Sequence, residues 1–180
     1  MADFPVPLLP TPAAITPFHA EAQGSPASVL GTAGSIAWPA NNQAQYYPFT
    51  IYEHSLARQL FFWVGATSSG NIDVAIYDSA LKRIVSMGTT AMSATVNTIQ
   101  LVDITDTWLP PGRYLLGVAC STTGGTCFGT TANADEVALP GIAVYEQASA
   151  MPLPDPAVPV ISTAASPFVA VAGIVFAAAF

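Results

Sequence analysis

An all-β fold, an antiparallel β-sandwich of jelly-roll-like type, is the class this sequence predicts, and three observations predict it. Short runs alternate apolar with polar residues at the strand period of two. Clusters of Gly, Pro, Asn, Asp and Ser punctuate those runs at intervals suited to turns. No helical pattern of useful length occurs, and no repeat of solenoid or propeller period is present. With 180 residues, the chain is long enough for one domain with a real core plus extended ends.

Residues 1–45 are rich in Pro, Ala, Ser and Gly, and Pro5, Pro7, Pro10, Pro12, Pro17, Pro26 and Pro39 exclude continuous helix and central strand. The segment still carries Phe4, Leu8, Leu9 and Phe18, which a solvated linker would not need. It reads as an extended N-terminal arm lying along a neighbour. The sandwich is expected over 46–150, beginning with a strand from Tyr46 to Tyr52. Arg58 to Ala66 is an almost unbroken apolar and aromatic run, the mark of a central strand covered on both faces, with Trp63 in the core. In Gly70-Asn71-Ile72-Asp73-Val74-Ala75-Ile76-Tyr77-Asp78 the alternation places Ile72, Val74 and Ile76 inward and Asp73 and Tyr77 outward. Further strands are expected at Arg83–Met87, Thr98–Ile104, Arg113–Cys120, Cys127–Thr130 and Ile142–Glu146.

From Met151 the chain is again Pro-rich, and no charge follows Asp155. The unbroken apolar piece after Pro167 is 13 residues, short of the about 20 that span a bilayer, and it has no flanking Lys or Arg. Residues 151–180 therefore read as an apolar C-terminal arm or closing strand rather than a membrane anchor. Phe168, Phe176 and Phe180 are its contact residues. The N-terminus has neither the basic nor the apolar region of a secretion signal.

Composition narrows the function. Charged residues are 8% of the chain and hydrophobic residues 52%, against about a quarter charged in ordinary soluble domains. Such a surface suggests burial against other subunits. A net charge of −7 with four scattered cations, Arg58, Lys82, Arg83 and Arg113, argues against nucleic acid.

Asp73 reads as a solvated carboxylate on the outward face of its strand, Asp78 as opening a turn, and Asp103 and Asp106 as ending a strand, in preference to Ca²⁺ ligands or a catalytic pair. His54 reads as a polar loop residue. Cys120 and Cys127 read as free buried thiols, with a hairpin disulfide the alternative; neither His19 nor His54 stands at metal-ligand spacing to them. Trp108 and Tyr77 are the candidate exposed rings for a glycan or a partner. No catalytic, cofactor-binding or metal residue is expected, and no cofactor.

Phe62-Trp63-Val64-Gly65-Ala66, Ser69 through Asp78, Val102-Asp103-Ile104-Thr105-Asp106-Thr107 and Leu109-Pro110-Pro111-Gly112-Arg113-Tyr114 occur in an order that resembles a group of small β-sandwich virion proteins of tailed bacteriophages. The resemblance covers roughly residues 46–130. A looser likeness, through Gly70–Val74 and Pro111–Tyr114 alone, extends to carbohydrate-binding and pre-peptidase C-terminal sandwiches. The phage group carries no catalytic motif. The resemblance implies a virion location and a structural role: a capsid decoration or cement protein docking through its arms on the major capsid protein, or a head- or tail-fibre component. Absence of coiled-coil or triple-β-helix repeats favours decoration. A symmetric oligomer such as a trimer is expected. The alternative is a fibre-associated carbohydrate-binding module for host attachment.

Overall fold

A computed structural model describes residues 34–131, 144–163 and 168–177. Thirteen strands occupy them: β1 (Gly34–Ala37), β2 (Gln43–Ile51), β3 (Ser55–Val64), β4 (Asn71–Tyr77), β5 (Arg83–Ser86), β6 (Thr90–Ala91), β7 (Thr98–Leu109), β8 (Gly112–Cys120), β9 (Thr126–Thr131), β10 (Tyr145–Gln147), β11 (Val160–Ile161), β12 (Phe168–Ala170) and β13 (Ala172–Phe176). They form two antiparallel sheets packed face to face, the sandwich that the alternating patterns predict.

The second sheet runs β11-β10-β2-β8-β4-β5, with β6 also on β4. The first contains β7, β3, β13, β12, β9 and β1. Its centre is unusual. β3 and β9 meet at one residue pair, Val64 with Cys127, and then diverge. The C-terminal apolar segment fills the gap: β12 pairs with β9, and β13 pairs with β3. Val171 is the crossover, its N–H donating to Phe128 O at 2.8 Å while its carbonyl accepts from Trp63 N at 3.0 Å. Of the two readings of the C-terminus, residues 168–176 thus take that of a closing strand, and an internal one.

Alternation on β3, β4 and β8 supplies the core. Leu60, Phe62 and Val64 face Ile72, Val74, Ile76, Leu116 and Val118 across the gap, all fully buried. Trp38 and Tyr47 close one side; the Tyr47 hydroxyl donates to Gln45 Oε1 at 2.6 Å and accepts from Ala170 N at 3.1 Å, linking the sheets. Pro110-Pro111 carries the chain between sheets, and the Tyr114 hydroxyl fixes that corner by donating to Pro110 O at 2.6 Å. Trp38 and β1 belong to residues 34–45, so this part of the segment read as an arm is built into the sandwich, and the boundary at 46 falls inside β2.

A second apolar layer lies on the outer face of the second sheet. There the Pro-rich stretch from Ala150 to Val158 crosses the strands as a strap, with Ala150, Leu153 and Ala157 packed on Ala44, Tyr46, Ala75, Tyr77 and Ala119. Polar bonds pin it along its length. Tyr77 Oη donates to Pro154 O at 2.7 Å, Arg83 Nη1 to Leu153 O at 2.6 Å, and Leu153 N to Asp73 Oδ2 at 3.1 Å. Tyr46 and Tyr77 meet edge to face at 5.5 Å. They fit because residue 117 between them is glycine: a Cβ there would stand 2.8 Å from Tyr77 Cε2 and 3.0 Å from Tyr46 Cε1.

Two expectations are corrected by this strap. Tyr77 does lie on the outer face of its sheet, but it is fully buried and offers no ring to a ligand. Asp73 is likewise outward yet fully buried, accepting also from Ser86 Oγ at 2.6 Å. Burial raises its carboxyl above the usual range, while the Ser86 and Leu153 bonds and Arg83 work in the opposite direction. Burial similarly raises the Tyr46 and Tyr77 phenols well above their ordinary value.

Candidate functional site

A concavity arises on the first sheet where pairing is irregular. Along β3, Ala57 pairs with Thr107 and Gln59 with Asp103, so Arg58 alone faces three residues, Ile104, Thr105 and Asp106. On its other side, Gln59 pairs with Val175 and Ala57 with Phe176, again leaving Arg58 without a ladder partner. Bulges on both flanks of one residue bend the strands and turn side chains away from regular alternation. There lies a cup of about 500 Å³ lined by the polar Arg58, Gln59, Asp103 and Asp106 and by apolar Ile104 and Phe176, which also pack against the core.

The rim is polar and accessible. Arg58 Nε lies 3.4 Å from Asp106 Oδ2, with the two side chains 54% and 56% exposed. Gln59 Nε2 donates to Asp103 Oδ1 at 2.6 Å. Asp103 and Asp106 therefore do not end a strand, as their turn-forming character suggested; both lie within the 12-residue β7, at its bulge. Trp108 follows on the same strand, outward like Asp106 and 66% exposed, which places one of the two expected ring residues at the surface.

Asp78 caps a turn, its Oδ1 accepting from Ala80 N and Lys82 N at 2.9 Å each. His54 lies in an exposed turn between β2 and β3. Cys120 and Cys127 are free and buried, and burial raises both thiols, Cys127 well above its ordinary value. Trp63, read as core, instead lies on the outer face of the first sheet, half-buried and stacked on Phe128 at 4.5 Å, because β3 turns Phe62 and Val64 inward. Of the expected arm contacts, Phe176 is a half-buried residue of β13 and Phe168 starts β12, whereas Phe4, Leu8, Leu9, Phe18 and Phe180 lie outside the described residues. Among the described residues no group of three or more His, Cys, Asp or Glu could hold a metal ion, and no helix is long and apolar enough to cross a membrane.

A second surface feature was not anticipated. At the end of the strap, Val158, Val160 and Ile161 are 69%, 61% and 59% exposed along the edge of the second sheet. The run Pro156-Ala-Val-Pro-Val-Ile signalled it in principle, but as part of an arm rather than of a sheet edge.

No protein-family model matches this sequence, and no curated protein matches it.

Proposed function

We propose that this chain is a structural protein of a tailed-bacteriophage virion, a capsid decoration or cement protein that docks on the major capsid protein. The observation that supports this reading is the apolar sheet edge at Val158, Val160 and Ile161 on a chain with only 8% charged residues. Three large aliphatic side chains more than half exposed along one edge suit a surface that is covered in an assembly. In this reading the sandwich is jelly-roll-like, the proline-rich N-terminal segment is a docking arm with Phe4, Leu8, Leu9 and Phe18 as its contacts, and the protein acts as a homo-oligomer in the virion. The phage resemblance of residues 46–130 supports the same assignment.

The test is co-sedimentation of the full chain with phage heads that lack it, beside a chain shortened by residues 1–33, which keeps every described strand. Binding by the full chain, weakened by the deletion or by Val160→Asp, is the expected result. Absence of binding to heads, with binding to tails or to no particle, overturns the decoration role. A second reading, a glycan-binding module for host attachment, is favoured by the exposed Trp108, two residues along β7 from Asp106 at the rim of a polar cup.

A further inference from the structure

We infer that the cup at the Arg58 bulge is a binding site for neutral saccharides, with Trp108 as its stacking platform. The inference rests on the glycan-binding reading and adds the site and the ligand class.

The rim chemistry selects the class. Arg58 and Gln59 supply N–H donors, and Asp103 and Asp106 supply acceptors. An anion would call for donors only, and a cation for acceptors only. A row of hydroxyls, each donor and acceptor at once, matches a rim that offers both. One guanidinium against two carboxylates leaves the rim net negative, which disfavours sialylated or uronic sugars. Both existing rim pairs, Arg58 with Asp106 and Gln59 with Asp103, lie at the surface, where such pairs contribute little, so re-engaging them with a ligand costs little.

Size and shape agree. The cup's about 500 Å³ falls within the roughly 300–1,000 Å³ of small-ligand sites. Trp108 lies outside the lining of the cup but two residues beyond Asp106 on β7, about 7 Å along the strand, so a saccharide longer than one ring, hydrogen-bonded at the rim, reaches the indole with a C–H face. A peptide strand added to the β7 edge is the less suitable occupant: the bulge at Ile104–Asp106 breaks the regular ladder that strand addition needs.

The full chain is titrated with maltotriose, cellotriose, tri-N-acetylchitotriose and sialyllactose, followed by calorimetry and by tryptophan emission. At least one neutral trisaccharide is expected to bind and to shift the emission. Arg58→Ala, Asp106→Ala and Trp108→Ala should each weaken it by about tenfold or more, with thermal unfolding unchanged because all three residues are exposed. Val96→Ala, at an exposed residue outside the cup, should bind as the parent does. If a saccharide binds but the three rim variants bind equally well, the site is wrong although the glycan-binding reading survives. Binding only to sialyllactose overturns the ligand class. No binding by ~10 mM overturns both the site and the glycan-binding reading, and leaves the capsid role to its own sedimentation test.

Discussion

Removing the C-terminal strand should unfold the protein rather than detach an appendage. Val169, Val171 and Ile174 are 7%, 4% and 4% exposed, and β12 and β13 occupy the gap between β3 and β9. At about 1.5–3 kcal/mol for each buried aliphatic side chain, the three contribute roughly 5–9 kcal/mol. That is comparable with the whole stability of a typical domain, about 5–15 kcal/mol. Deletion would also strip β3 and β9 of the ladder on one flank, leaving β7 on β3 and β1 on β9, and open Phe62 and Leu60 to water. A graded version avoids total loss: Ile174→Ala should destabilise by about 2–5 kcal/mol, and Val175→Ala, at a half-buried neighbour, by distinctly less. Urea unfolding followed by circular dichroism reads both, alongside a chain lacking residues 168–180. If that shortened chain unfolds cooperatively at the parent midpoint, or if Ile174→Ala matches Val175→Ala, the strand is not part of the core and the reasoning fails.

Three further outcomes follow from the strap and the thiols. Gly117→Ala would press a Cβ between Tyr46 and Tyr77 and should cost about 1–3 kcal/mol, read by thermal unfolding, with Val160→Ala as a neutral surface comparison. Asp73 has a folded pKa raised by burial, so the folded state holds its proton more tightly than the unfolded chain. Its contribution to stability should therefore fall as pH rises from about 4 through the raised value and stay level above it. Denaturation of the parent and of Asp73→Asn across acid to neutral pH should show their difference changing in that direction; a difference constant with pH contradicts it. Cys120 and Cys127, buried with raised thiols, should react with iodoacetamide near neutral pH far more slowly than after unfolding in urea, as mass spectrometry would show.

Much of the sandwich was legible because its inner faces follow simple periods. Ile72, Val74 and Ile76 read inward and are inward, and the apolar run at Leu60–Val64 lies in a strand paired on both sides. The outer layer was less legible. Asp73 and Tyr77 have the chemistry of a solvated face, and only a strap more than 70 residues away in sequence buries them. Proline-rich segments argue against helix and central strand, but they do not say whether a segment leaves the domain or crosses it, so Leu153 read as arm and is core. The cup was invisible for a different reason. Its bulges come from the mismatch between Arg58 and Ile104–Asp106, a property of pairing register between distant segments rather than of either segment's pattern. Trp108 alone announced itself, as an aromatic at a strand end beside polar neighbours.

The insertion of Phe168–Phe176 between β3 and β9 also sets an order of events. The second sheet can pair β2, β8 and β4 from one continuous span, whereas β3 keeps an open flank until a segment made long after it arrives. Distant closure of this kind gives a high contact order and slow folding. During that wait the half-built first sheet exposes Leu60 and Phe62 next to an unfilled slot of strand width. Any extended apolar peptide could enter that slot, so correct maturation depends on the chain's own strand reaching it before another copy's does.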